Sequence, residues 1–198
     1  MTVEAGPQPA AVAYDALAES IALIEHGVPE APPRLSRRRR FVPLGVDVDG
    51  DVACTLFARR SVGHVARETW ALVRRGQAWA VLGGGGGGLE EDDLTDRPGA
   101  AVLGGHLVWT GGGATARNAG RSMPWGARYV SHALLRAGPA VDRVVVGGRE
   151  IRVPRHGHLV VVWGGKQPPA AEALTSDGRR LVSLRVDRRS RLPEWYRY

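Results

Sequence analysis

Residues 141–186 constrain the fold more than any other stretch, because valine-rich runs alternate there with turn signals at the spacing of consecutive β-strands. Val144, Val145 and Val146 lead into Gly147-Gly148, a pair able to take the positive φ angles of a tight hairpin. Ile151 and Val153 then alternate with Glu150 and Arg152. Pro154 lacks the N–H that a ladder needs and ends that strand. Leu159, Val160, Val161, Val162 and Trp163 form an apolar run without alternation, which suits a strand covered on both faces. After Pro168-Pro169, segments 171–175 and 181–186 flank Ser176-Asp177-Gly178, another hairpin signal. About five strands in roughly forty-five residues is the density of a sandwich or barrel.

The pattern recurs upstream. Val42, Leu44, Val46 and Val48 alternate up to Asp49-Gly50, and Val52, Cys54, Leu56 and Ala58 alternate after it, giving a hairpin with Cys54 facing its core. Segments 70–73 and 78–82 flank Arg74-Arg75-Gly76-Gln77 as a second hairpin. Residues 101–103 and 106–109 read as one or two further strands, and 129–136 fits a strand better than a short helix. Six consecutive glycines, 83–88, have no side chain to pack and a high ordering cost, which predicts a mobile loop before the acids Glu90, Glu91, Asp92 and Asp93. Residues 114–127 read as a polar loop with Met123-Pro124-Trp125-Gly126 as a surface or lid element. Together these signals predict a mainly β fold over 34–187, an antiparallel β-sandwich or distorted barrel. Its C-terminal end loosely resembles the closing meander of immunoglobulin-like sandwiches, without their Cys…Trp…Cys pattern.

Two flanking segments carry different chemistry. Tyr14, Leu17, Ile21, Ile24 and Val28 recur at helical spacing, predicting an amphipathic α-helix that starts near Pro9 or Ala10 and is closed by Gly27 and Pro29 within an acidic segment 1–33. Its apolar stripe needs a partner: the chain's own sheet, a second copy in a homo-oligomer, or another protein. Arg37, Arg38, Arg39 and Arg40 follow directly, and segment 188–198 combines Arg188 and Arg189 with Trp195, Tyr196 and Tyr198. Arginine beside aromatic rings suits a protein interface or stacking on single-stranded nucleic acid. The first 33 residues hold five acids and no Lys or Arg, so the remainder carries +12 against a total of +7. Such an excess attracts nucleic acid, other polyanions or an acidic protein surface.

Catalytic signals are sparse. The glycine run satisfies a G-x-G-x-x-G pattern, but the four acids after it would repel a phosphate. His156-Gly157-His158 places two imidazoles on one side of an extended chain, the start of a metal site that lacks a marked third ligand. No cofactor is expected. One cysteine excludes an internal disulfide, and no apolar run approaches the roughly 18 residues of a membrane-spanning helix. The acidic N-terminus argues against a secretory signal, so a cytoplasmic location is the expectation. The leading functional expectation is a non-enzymatic interaction module, a subunit or adaptor of a larger assembly. Polyanion binding through the arginine segments comes next, followed by a small-molecule binder or enzyme using the glycine-rich segments at the sandwich mouth.

Overall fold

The computed structural model describes residues 14–31, 34–90, 94–118 and 126–186. The fold is mainly antiparallel β-structure with one N-terminal helix, α1 (Ala16–His26). Strands β1 (Phe41–Asp49), β2 (Val52–Arg60), β3 (Val65–Arg75) and β4 (Ala78–Leu89) form a first sheet in that order. A middle sheet has the order β5 (Leu107–Ala116), β6 (Tyr129–Ala137), β9 (His158–Trp163). A third sheet orders β11 (Arg180–Arg185), β10 (Ala170–Leu174), β7 (Arg143–Val146) and β8 (Arg149–Arg152).

Side-chain alternation on the middle sheet creates two cores. Val130 and Leu134 of β6, with Val160 and Val162 of β9, pack against Leu44, Cys54, Leu56 and Val73 of the first sheet. Their neighbours Ala133, Leu135, Leu159 and Val161 point the other way, onto Val144, Val146, Ala171 and Ala173 of the third sheet. This explains why β9 is apolar from Leu159 through Trp163. It also corrects the meander reading: β9 leaves the third sheet for the edge of the middle one, and β10 returns to pair with β7.

Three further expectations change. Residues 83–88 are not a loop: they form the second half of β4, paired with residues 66–71 of β3. Residues 101–103 lie in a single helical turn, α2 (Ala100–Leu103), bounded by Gly99 and a left-handed Gly104, with Leu103 buried and Val102 exposed. Residues 114–116 extend β5, and Asn118 donates to Gly126 O and accepts from Arg128 N.

Helix α1 begins at Ala16, later than its stripe suggests, because Asp15 is extended and its Oδ1 caps Leu17 N and Ala18 N. Its buried positions are Ser20 and Leu23. Ser20 Oγ lies 2.8 Å from Thr55 Oγ1 on the outer face of β2. Tyr14 completes the contact, its ring 4.8 Å from Phe41 and 6.4 Å from Phe57, with its hydroxyl accepting from Trp70 Nε1. Burial pushes the Tyr14 hydroxyl up to about 12, against the opposing hydrogen bond from Trp70.

One ion pair ties the three sheets together. Arg149, at the start of β8, donates through Nε and Nη2 to both oxygens of Asp47 on β1, at 3.1 and 2.9 Å. Its Nη2 also reaches Val162 O of β9, while Asp47 Oδ2 accepts from Val162 N at 2.8 Å. The pair therefore occupies backbone groups on the edge of β9 that would otherwise invite another strand.

Candidate functional site

Two cavities stand out among the described residues. A groove of about 1010 Å³ runs between β1, the end of α1 and β8. Its charges already answer one another. Arg149 pairs with Asp47 and Asp49, Arg155 with Asp96, and Arg152 with Glu30, while Asp142 and Glu150 both meet Arg143. Arg97 hydrogen-bonds backbone carbonyls of Val141, Val153 and Pro154, so it clamps loops and has little left for a ligand. Burial lowers its pKa, and Asp142 partly offsets that shift.

The second cavity, about 520 Å³, is a slot between the first and middle sheets where β4 faces β5. Both walls arise from the same local sequence. Each strand has a register shift, at Val81/Gly83 in β4 and Trp109/Gly111 in β5, and then enters glycine: residues 83–88 on one wall and 111–113 on the other. Packed sheets lie about 10 Å apart, a gap normally filled by interdigitating side chains. Here glycine leaves part of it open.

Some of these glycines have an internal reason. A Cβ on Gly84 would stand 2.7 Å from the Trp70 ring, and one on Gly113 would stand 2.9 Å from the His132 ring. Each ring lies across its directly paired glycine, Trp70 opposite Gly84 and His132 opposite Gly113. A Cβ on Gly88 would meet nothing within 4 Å, and one on Gly87 would meet only the end of Arg67 at 3.7 Å. Neither has a positive φ. Packing within the described chain does not require glycine at those two positions.

The slot's polar equipment comes from β3, β5 and β6. Arg67 and Thr69 share the inward side of β3 with Ala71. Thr69 Oγ1 donates to Gly85 O, Arg67 Nη1 lies 3.5 Å from Thr110 Oγ1, and Thr110 Oγ1 donates to Leu134 O. Among the described residues the lining thus holds one guanidinium, one imidazole and three threonines, Thr69, Thr110 and Thr115, and no carboxylate. Such a set favours a negatively charged guest.

None of the main sequence candidates among the described residues lines this slot. Tyr14, Ile21 and Ile24 are partly buried on or beside α1's contact with its own sheet, whereas Leu17 is exposed. Arg37, Arg38, Arg39 and Arg40 are exposed, and the segment turns through Ser36, whose N–H donates to Arg39 O and whose Oγ accepts from Arg39 N. Because only backbone atoms of these arginines carry those contacts, replacing all four by serine is expected to change stability by less than about 0.5 kcal/mol in urea denaturation. Arg188, Arg189, Trp195, Tyr196 and Tyr198 lie outside the described residues, as do Met123, Pro124 and Trp125.

His156 and His158 are both buried, with ring centroids 5.6 Å apart. His156 Nδ1 accepts from His158 N, and burial with the Arg136 and Arg97 charges holds its imidazole down at about 4. The Arg136 and Arg97 charges that act on His156 would also oppose a metal ion bound to it, and no group of three metal-ligating side chains occurs among the described residues. Cys54 is fully buried, and that burial pushes its thiol far up, away from the reactive thiolate.

The slot residues Arg67 and Thr69 do leave a trace in the sequence. Polar side chains at 67 and 69 continue the inward register of Val73 and Ala71, where an alternating strand would place apolar ones. No helix among the described residues is long and apolar enough to cross a membrane. No family model, no curated protein and no solved structure matches the chain.

Proposed function

We propose that this protein binds a small, thin, anionic molecule in the slot between β4 and β5. The observation that carries the reading is the pairing of two bare glycine walls with a lining that, among the described residues, holds Arg67 and His132 and no carboxylate. A volume of about 520 Å³ lies within the roughly 300–1,000 Å³ of ordinary ligand sites. Glycine walls suit a flat or extended body, since bare backbone can approach it closely. The guanidinium of Arg67, with Thr110 beside it, suits a carboxylate head group.

Calorimetric titration with 2-naphthoate and decanoate tests this, with neutral 2-naphthamide as the control. A carboxylate is expected to bind at least tenfold more tightly than the amide, and Arg67→Gln is expected to remove about tenfold or more of that affinity. Gly87→Val, at a position where an added Cβ meets only the end of Arg67 among the described residues, is expected to block the slot while the circular dichroism spectrum stays unchanged. Equal binding of amide and carboxylate, or no binding of either carboxylate at millimolar concentration, would overturn the reading.

A further inference from the structure

Strand β4 has two edges and uses one. It is hydrogen-bonded to β3 along its length, and among the described residues no backbone hydrogen bond reaches its other side. Proteins usually guard such an edge with lysine, proline, a bulge or a very short strand. Here the strand has twelve residues, and beyond the irregularity near Leu82 it offers six glycines with no charge and no proline. Residues 84–88 are exposed. Glycine weakens a strand by roughly 0.5–1 kcal/mol per residue relative to alanine. At Gly87 and Gly88 neither the φ angle nor internal packing accounts for that cost, and glycine inside a strand often marks the close approach of another backbone.

We propose that the free edge of β4 pairs antiparallel with β4 of a second copy, joining the two first sheets into one eight-stranded sheet across a two-fold axis. The ends of the strand choose both partner and direction. Arg74 and Arg75, at the turn that leads into β4, are exposed, and Glu90, just past its other end, is also exposed. In the sequence Glu90 begins a run of four acids. Antiparallel pairing of identical strands sets the basic end of each copy beside the acidic end of the other. Parallel pairing would set like charges together. The glycine run is also self-complementary: a two-fold axis between Gly85 and Gly86 matches residues 83–88 with 88–83, so neither copy presents a side chain to the other along the run. Immediately behind, β5 is the edge strand of the middle sheet and is itself bare at residues 111–113.

This moves the homo-oligomer expectation from α1, whose Ser20 and Leu23 already face its own sheet, to a different surface. It is independent of ligand binding in the slot, which is read by titration and not by mass. The test combines sedimentation velocity over a concentration series with hydrogen exchange at β4. The full chain is expected to sediment with twice the monomer mass at high concentration, and amides within residues 83–88 are expected to gain protection in step with that mass. Arg74→Glu together with Arg75→Glu places acid against acid and is expected to weaken the dimer at least tenfold, with partial recovery when salt screens the repulsion. A chain that stays monomeric at every concentration overturns the proposal. So does a dimer whose β4 amides exchange as fast as the monomer's, or one whose dissociation constant is unmoved by the double charge reversal.

Discussion

Replacing Arg149 with methionine is expected to destabilise the fold by about 3–5 kcal/mol, because it strands a buried carboxylate. Asp47 has a side chain only 4% exposed, and Arg149 supplies hydrogen bonds to both of its oxygens. Burial works against the guanidinium's charge, but the hydrogen bonds and charge of Asp47, with Asp49, outweigh it and raise the pKa of Arg149. Without the arginine, Asp47 keeps only Val162 N among the partners described above, and Val162 O loses its donor. The loss should appear as a lower urea midpoint with an unchanged slope and a fall in Tm of roughly 10 °C. The double variant Asp47→Leu with Arg149→Met separates pairing from packing. Since both charges go together, it is expected to recover much of the lost stability, although Val162 N and O remain without those partners. A single variant as stable as the parent would show that the pair does not hold the sheets together.

The same node shows how much of the architecture could be read from residues alone. The apolar run of β9 was legible as a strand with two covered faces, because a half-exposed strand alternates and this one does not. Which sheet it joins was not legible. It pairs with β6 and meets Asp47 and Arg149, which lie 102 residues apart, and nothing local marks these as partners. Hairpins were legible wherever turn chemistry and alternation agreed, as at Asp49-Gly50 and Gly147-Gly148, where Gly50, Gly147 and Gly148 all take positive φ. The glycine run failed as a loop because propensity describes an isolated strand. In β4 the ladder to β3 supplies the pairing, and the Trp70 ring covers Gly84 in place of the side chain it lacks. The slot was therefore hidden twice. Its walls looked like loops, and its polar residues, Arg67 and Thr69, acquire meaning only once β5 and β6 stand opposite them. The helix α1 was legible, but its seam was not: Tyr14 and Val28 lie outside it, Leu17 is exposed, and the residues that bury most deeply are Leu23 and the polar Ser20, which finds Thr55 as its partner.

Acid should weaken the fold through His156. The imidazole is 2% exposed and lies beside His158, Arg97 and Arg136, so the folded state resists its protonation. Its pKa falls from 6.5 to about 4, with burial the largest cause and the Arg136 and Arg97 charges next. Between these two values the unfolded chain binds a proton that the folded chain does not, so stability rises with pH across the window. The contribution is fully present above about pH 6.5 and is lost progressively as the pH falls towards 4. At about 1.4 kcal/mol per pH unit the loss approaches about 3 kcal/mol. Other groups titrate over the same range, so the informative quantity is the difference between the parent and His156→Asn, whose side-chain oxygen can still accept from His158 N. Urea denaturation at pH 7.5 and 4.5 is expected to show a smaller acid penalty in the variant by that amount, whatever its stability at neutral pH. Gly157 should be kept in both proteins, since its φ is +75° and a Cβ there would stand 2.5 Å from Ala137 O. Equal acid penalties would show that His156 accepts its proton in the folded state as readily as in the unfolded chain.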